Sequence, residues 1–358
     1  MADNFINKAI SKIRQIKGSD KLLVFTIAST SKQETEPFLS PVREFEKFNI
    51  FGCVLFSQST LLDLLAEIDG IVDVVLVDAE KKIPLKLGDE NPLREKDART
   101  IGFFETGNFA KVCLTKIKKS RVFEYKPNDI TVDAAWMFLS QKLQSFSGRK
   151  VSILGLGNIG SKLALKLVEC GADVHVYSRD FYKTHLITQA LNLIKPVGTI
   201  ASITCHRQPL SASFASDVII GVTNGHPVIT KEVVTSVNKK CLVIDLGKNN
   251  ISKDGLALAQ EYNLEVCRTD VTSALELFVL ESLSLSKLLS DDYGERDING
   301  DLIVGGGYFG QDGMIVLDSI SAPTQLLGVA DGAGSLKTVL TVREQNAVER
   351  VSRHFDLR

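Results

Sequence analysis

The chain has no surplus of either charge. Its 42 lysines and arginines face 43 aspartates and glutamates, for a formal net charge of −1. No global basic field therefore points to nucleic acid or to an anionic membrane surface as a partner. Paired cysteines are also lacking. The six, at 53, 113, 170, 205, 241 and 267, are scattered and form neither a CxxC nor a Cys/His cluster. That pattern argues against disulfides and zinc, and for a reducing cytoplasmic setting. No apolar run approaches the ~20 residues that cross a bilayer, and the opening Met1–Lys8 carries no signal-peptide pattern. What remains is an ordinary globular composition over 358 residues, long enough for two or three packed domains.

Against that background one stretch stands out. Val151-Ser-Ile-Leu-Gly-Leu-Gly-Asn-Ile-Gly160 is an apolar run entering a turn, followed by the amphipathic Ser161–Cys170. Gly155 suits a tight turn, Gly157 lets backbone approach a pyrophosphate, and Gly160 lets a helix pack closely on the strand. Asn158 and Ile159 open that helix and offer N–H groups to phosphate. Gly171-Ala-Asp then turns the chain, and Val174–Ser178 reads as a second strand. This strand–turn–helix–strand order resembles the Rossmann dinucleotide fingerprint.

The fold class expected is α/β. Residues 1–146 read as an N-terminal α/β domain carrying substrate and catalytic groups. Strands are expected at Leu22–Ile27, Ile50–Phe56 and Ile71–Asp78, with helix-like Pro41–Phe48 and Thr60–Ile68 between them. Ala110–Ile117 has alternating character, and Thr131–Phe146 reads as a linking helix. Residues 147–270 read as a doubly wound parallel-sheet domain, with later strands at Asp217–Val222, Cys241–Leu246 and Leu264–Cys267. Residues 271–358 form a glycine-rich extension: a leucine-rich helix, strands at Asp301–Val304 and Met314–Leu317, and a terminal helix from about Leu336. Its two glycine runs, 305–313 and 328–334, read as hairpin turns. The leucine-rich helix suggests a homodimer contact.

An NAD-specific domain ends its second strand with an acidic residue on the ribose. Here Ser178 and Arg179 hold that place, a hydroxyl and a guanidinium suited to a 2′-phosphate. The reading favours NADP(H) over NAD(H), with Asp180 as the ribose ligand if the strand ends later. Thr223, Asn224 and Gly247 follow parallel strands at their carboxyl ends, where open α/β sheets bind ligands. They are assigned to the cofactor.

Hydride transfer also needs a proton donor with a partner that tunes it. Two polar clusters offer candidates. Asp78-Ala-Glu-Lys-Lys82 and Ile83-Pro-Leu-Lys86 follow a strand, so Lys81 or Lys86 would donate while Asp78 and Glu80 bind or orient. Lys126-Pro-Asn-Asp-Ile-Thr-Val-Asp133 opens the linking helix. Asn128, Asp129 or Thr131 suits an N-cap there, and Asn128 and Thr131 double as substrate ligands.

The Asn…Thr…Asp opening of a linking helix, the glycine turn and the Ser-Arg strand end together resemble a group of two-domain enzymes. Examples are shikimate dehydrogenase, methylene-tetrahydrofolate dehydrogenase and the dipicolinate synthase A subunit. The resemblance implies that Asp133 pairs with Lys86 as the catalytic Asp–Lys couple and that Ser178-Arg179 matches an Asn-Arg element for NADP. Lys81-Lys82 stands where the Val-Thr of that lysine loop would be. Leu154–Gly160 is also similar to D-2-hydroxyacid dehydrogenases, although Leu246-Gly-Lys248 replaces their arginine motif. The expectation is an NADP(H)-dependent oxidoreductase acting on a small polar carbonyl, imine or alcohol, with no nucleic acid, membrane or metal involved. The alternatives are a lyase or cyclase that uses the cofactor without net redox, and a non-enzymatic NADP sensor.

Overall fold

The computed structural model describes residues 2–18, 20–29, 36–56, 58–80, 94–96, 103–105, 109–223, 225–305 and 307–357. They divide into two compact units, Met1–Glu276 and Leu277–Arg358. Among the described residues no helix is long and apolar enough to cross a membrane.

The first unit opens with α1 (Ala2–Ile16), β1 (Leu22–Ser29), β2 (Phe38–Leu39), β3 (Arg43–Glu44), β4 (Phe48–Leu55), α2 (Gln58–Ile68) and β5 (Val74–Asp78). It continues through β6 (Arg94–Lys96), β7 (Phe103–Glu105), α3 (Phe109–Lys116), β8 (Arg121–Tyr125) and α4 (Pro127–Leu143). Strands β4, β1, β5 and β8 lie side by side and parallel, with β2 and β3 antiparallel on β4. Every residue of β5 is buried, as expected of a strand covered on both faces. Helix α1 buries Phe5, Ile6, Ala9, Ile10 and Ile13 in the same core as α2 and α3, a stripe at helical spacing.

Two expectations for this half are corrected. Pro41–Phe48 is not a helix. Arg43 and Glu44 pair with Ile50 and Asn49, and the Phe45 N–H donates to the Phe48 carbonyl at 2.9 Å. Val42, Phe45 and Phe48 have helical spacing, but the edge of β4 offers their backbone a ladder instead. Ala110–Ile117 is not a strand-like run but most of α3. Its buried Phe109, Val112 and Cys113 recur at three and four residues, a period hidden when Phe109 is left outside the window.

The unit goes on with β9 (Lys150–Leu154), α5 (Asn158–Glu169), β10 (Asp173–Tyr177), α6 (Phe181–Ile194), β11 (Ile203–His206), α7 (Pro209–Ser213), β12 (Val218–Gly221), α8 (Lys231–Ser236), β13 (Leu242–Asp245), α9 (Lys253–Glu261) and β14 (Glu265–Arg268). All six strands are parallel, in the order β11-β10-β9-β12-β13-β14. The chain starts at the middle of the sheet, winds outward one way, returns and winds outward the other. The reversal falls between β9 and β12, where such sheets open a crevice for a ligand. One face packs Val151, Ile153, Val174, Val176, Ile220 and Ile244 in a single core with buried residues of α4 and α5. The other packs Leu154, Ile219 and Val243 with buried residues of α7, α8 and α9.

Helix α10 (Thr272–Asp291) begins in the first unit. The second unit holds β15 (Gly294–Ile298), β16 (Asp301–Gly305), β17 (Ile315–Leu317), β18 (Leu326–Val329) and α11 (Val342–His354). Asn299 and Gly300, both at positive φ, turn β15 into β16, as a tight hairpin requires. The run 305–313 is not a hairpin turn, because β16 and β17 are parallel and the chain must cross over between them.

Inside the second sheet His175 Nδ1 lies 2.8 Å from His206 Nε2, with the rings stacked. Burial pushes His175 down from 6.5 to about 4, and Lys150 and His206 add to the effect against Asp173. The folded state therefore binds fewer protons than the unfolded chain between those values. Its contribution is complete above about pH 6.5 and is lost as pH falls toward 4. Urea midpoints measured across that window should fall less steeply for His175→Gln than for the native chain. Parallel curves would show that this histidine does not titrate in the folded state as stated.

Candidate functional site

Gly155 closes the turn after β9. Its φ is +123°, its N–H donates to the Tyr177 carbonyl at 2.8 Å, and a Cβ there would lie 2.5 Å from the Val222 carbonyl oxygen. A Cβ on Gly160 would fall 2.0 Å from the Gly155 carbonyl oxygen, so α5 docks on the turn through a missing side chain. Gly157 differs from both. It is exposed, and a Cβ there would meet nothing within 4 Å. It is also the N-cap of α5, with no side chain capping the helix. The first N–H groups of α5, at Asn158 and Ile159, thus face open space, and the helix dipole adds partial positive charge there. This is a cradle for phosphate that any side chain at 157 would fill.

At the end of β10 Ser178 is half-buried and Arg179 exposed. Asp180 is the N-cap of α6: its carboxylate accepts the Lys183 N–H at 3.0 Å, and its carbonyl accepts the Thr184 hydroxyl at 2.6 Å. The acid that competes for the ribose position is thus engaged by its own helix.

At the far side of the crevice, Thr223 and Gly247 belong to one buried network. The Thr223 N–H donates to Asn250 Oδ1 at 2.6 Å, and Asn250 Nδ2 donates to Asp245 Oδ1 at 2.6 Å. Asp245 Oδ2 takes Arg268 at 3.2 Å. Asn250 is fully buried. A Cβ on Gly247 would sit 2.5 Å from the Thr223 carbonyl, so the loops after β12 and β13 are clamped together. Lys248 and Asn249 take consecutive left-handed conformations to make that turn. Asn224 lies outside the described residues. Sequence reasoning missed Asn250 and Asp245; the one signal was an Asn-Asn pair after a strand, which reads as an ordinary turn.

In the N-terminal half, Asp78 ends β5 and is 1% exposed. One carboxylate oxygen accepts the Ser29 N–H and hydroxyl, each at 3.2 Å, and the other accepts the Glu80 N–H at 2.8 Å. It thereby holds the backbone at Ser29 and Glu80. Lys81 and Lys86 follow it in the chain, outside the described residues. Asp78 is in register with Tyr125, so Glu80 and Lys126 leave adjacent strands, and the Glu80 charge acts on Lys126.

Helix α4 begins at Pro127 with Lys126 as an N-cap that makes no side-chain cap bond. Asn128, Asp129 and Thr131 are therefore inside the helix rather than at the cap, and the Thr131 hydroxyl donates back to the Pro127 carbonyl at 3.0 Å. Helices α4 and α5 lie alongside each other, and their charges meet in two rungs. Asp129 binds Lys162 of α5 and, at 2.6 Å, Lys126; one turn on, Asp133 meets Lys166 at 3.0 Å. Burial works against ionising Asp129, but hydrogen bonds from Lys126 and Lys162 outweigh it and hold the carboxyl below its ordinary value. The Asp129 hydrogen bond raises Lys126. Both charges are fixed near neutrality, so this trio can hold an anion or a geometry but is not poised to pass protons. Asp133 and Lys166 are each nearly half exposed, and such pairs contribute ~0–1 kcal/mol. A separate groove of about 550 Å³ runs beside α4, lined by Met137, Phe138, Lys142, Arg268 and Asp270 among others, and includes no residue of the glycine turn.

Two glycine substitutions should separate the roles. Gly160→Ala forces a clash with backbone and should cost about 1–3 kcal/mol of stability, read as a lowered denaturant midpoint. Gly157→Ala should leave that midpoint unchanged, since its Cβ enters open space. Equal losses for the two would contradict the geometry.

Comparison with known proteins agrees with the second sheet. Residues 150–264 match the family model for the NAD binding domain of 6-phosphogluconate dehydrogenase. A glutamyl-tRNA reductase from Thermosipho melanesiensis is 26% identical over 102 residues, 28% of this chain, and the match spans about a quarter (26%) of the reductase. Similar solved structures include the dipicolinate synthase A subunit of Bacillus halodurans, at 13% identity over 74% of this chain and 97% of that one, with a TM-score of 0.36. A shikimate dehydrogenase in complex with NADP+ is 16% identical over 69% of this chain and 84% of that one, with a TM-score of 0.40. Two of the three enzymes named as examples from the sequence, shikimate dehydrogenase and the dipicolinate synthase A subunit, are among these similar structures. The strand order, the open glycine turn and the family-model match identify residues 150–264 as a Rossmann NAD(P)-binding domain.

Proposed function

We propose that the chain is an NADP(H)-dependent oxidoreductase acting on a small polar carbonyl, imine or alcohol. One observation carries the reading. A phosphate cradle left open at Gly157 stands next to a strand end that presents Ser178 and Arg179, while the nearby Asp180 carboxylate caps α6. A free carboxylate there would repel a 2′-phosphate; a free guanidinium binds it.

Bound in this domain, the nicotinamide would supply hydride exchange. The chain's own residues do the rest. The N–H groups of Asn158 and Ile159 hold the pyrophosphate, and Arg179 with the Ser178 hydroxyl holds the 2′-phosphate. Thr223, Asn224 and Gly247 line the other half of the crevice, kept in place by Asn250. In the N-terminal half, the Lys126 and Lys162 side chains converge on Asp129 and suit a substrate carboxylate or similar anion. The proton donor is Lys81 or Lys86, which follow Asp78 in the chain, with Asn128 and Thr131 at the substrate. Asp133, paired with Lys166, and Glu80 and Asp129, whose charges act on Lys126, are the carboxylates of this region. They are the candidates to orient the donor. The active form is a homodimer.

Titration of the intact protein with NADPH, read by nicotinamide fluorescence, tests the site. Gly157→Ala, which melts as the native chain does, should lose at least about tenfold in affinity, the equivalent of ~1.4 kcal/mol. Undiminished binding would remove the cradle from the proposal. For the chemistry, NADPH oxidation against a panel of 2-oxo acids, imines and small ketones is followed at the reduced-nicotinamide band. Lys→Met at the true donor should abolish turnover and leave NADPH affinity unchanged. Full turnover in both Lys81→Met and Lys86→Met would exclude these lysines as the donor.

A further inference from the structure

Strands β10 and β11 are parallel neighbours, with Tyr177 opposite His206. The next residue out of each strand, Ser178 and Arg207, therefore leaves the sheet side by side. Arg207 is exposed, yet its guanidinium is placed: the central carbon lies 3.9 Å from the ring centre of Phe181, the first residue of α6. The strand end from which it departs is fixed from below by the His206–His175 hydrogen bond. Among the described residues no carboxylate or carbonyl pairs with either Arg179 or Arg207. Asp180, the carboxylate between Arg179 and Phe181 in the chain, is turned into its own helix. Arg179 follows Ser178 in the chain, so the two arginines depart from neighbouring strand ends, and one anion bound there can take hydrogen bonds from both. Stacking on the Phe181 face leaves the N–H edges of Arg207 free to form a fork of hydrogen bonds.

We propose that Arg207, held over the Phe181 ring, is the second cation of the 2′-phosphate site and sets the preference for NADP(H) together with Arg179. The inference rests on the cofactor reading above. The ligand chemistry is a phosphate monoester dianion on the ribose 2′ position, which two guanidiniums match in charge and in fork geometry. Arg207 touches neither the nicotinamide nor the substrate. Its effect is confined to which dinucleotide binds, and to how tightly.

The test is calorimetric titration of the full chain with 2′,5′-ADP, 5′-ADP, NADPH and NADH. Arg207→Ala should weaken 2′,5′-ADP and NADPH about tenfold or more, the usual loss for a hydrogen-bonded charge, while 5′-ADP and NADH bind unchanged. Arg207→Lys should recover only part of the loss, because an ammonium neither stacks nor forks. Phe181→Leu, which keeps Arg207 but removes its platform, should lie between the native chain and Arg207→Ala. If Arg207→Ala keeps the native preference for 2′,5′-ADP while Arg179→Ala loses it, Arg207 has no part in the site and the NADP(H) reading stands. If Arg207→Ala weakens NADPH and NADH alike, the residue is structural and the proposal fails. A native chain that does not distinguish 2′,5′-ADP from 5′-ADP overturns both.

Discussion

Helix α5 can sit where it does only because residue 160 has no side chain. A single Cβ there would overlap the Gly155 carbonyl oxygen at 2.0 Å, and a shift of the helix to avoid it would move every group the helix positions. Its N-terminal N–H groups would leave the mouth of the turn. Its buried Leu163, Ala164, Leu167 and Val168 would leave the core they share with β9, β10 and α4. Close packing makes such a contact nearly binary: interiors have little free volume to absorb a misplaced methyl group. The open position at Gly157 is the complement of the closed one at Gly160. One glycine lets protein approach protein, and the other lets a ligand approach protein.

From α5 the constraint passes to the N-terminal half through charge. Lys162 and Lys166, one turn apart on α5, meet Asp129 and Asp133, one turn apart on α4. These two rungs set the register of the linking helix, whose first turn carries Lys126, and Lys126 feels the Glu80 carboxylate beyond the end of β5. Exposed ion pairs add little stability, so the value of this arrangement lies in geometry. It brings the polar ends of β5 and β8 to the same end of α5 as the glycine turn. On the other side of the crevice the same ordering is achieved without exposed charge, by the buried Asn250 that ties Thr223 to Asp245.

Much of this was legible in the sequence where the signal is local. The three glycines, the apolar strands of the second sheet and the helices between them declare themselves by spacing, because a parallel strand buried on both faces has few alternatives. The errors came where a distant partner decides. Residues 41–48 carry helical spacing, but the edge of β4 claims their backbone. The glycine run 305–313 looks like a hairpin turn, and only the parallel pairing of β16 with β17 shows that it is a crossover. At the site, Asp180 was ambiguous until its cap on α6 became visible. The Asp129–Lys162 pair was not read, since pairing with a lysine thirty-three residues away leaves no trace in either segment. Arg207 was invisible for the same reason: its place beside Ser178 is a fact of sheet register.

A crystal structure of the chain soaked with NADP+ is the most direct measurement of the site. The pyrophosphate should lie over the N–H groups at Gly157, Asn158 and Ile159, with the 2′-phosphate against Arg179 and the Asp180 carboxylate still capping α6. A dinucleotide bound away from the glycine turn would contradict this arrangement. So would one whose ribose hydroxyls engage Asp180 while Arg179 faces solvent.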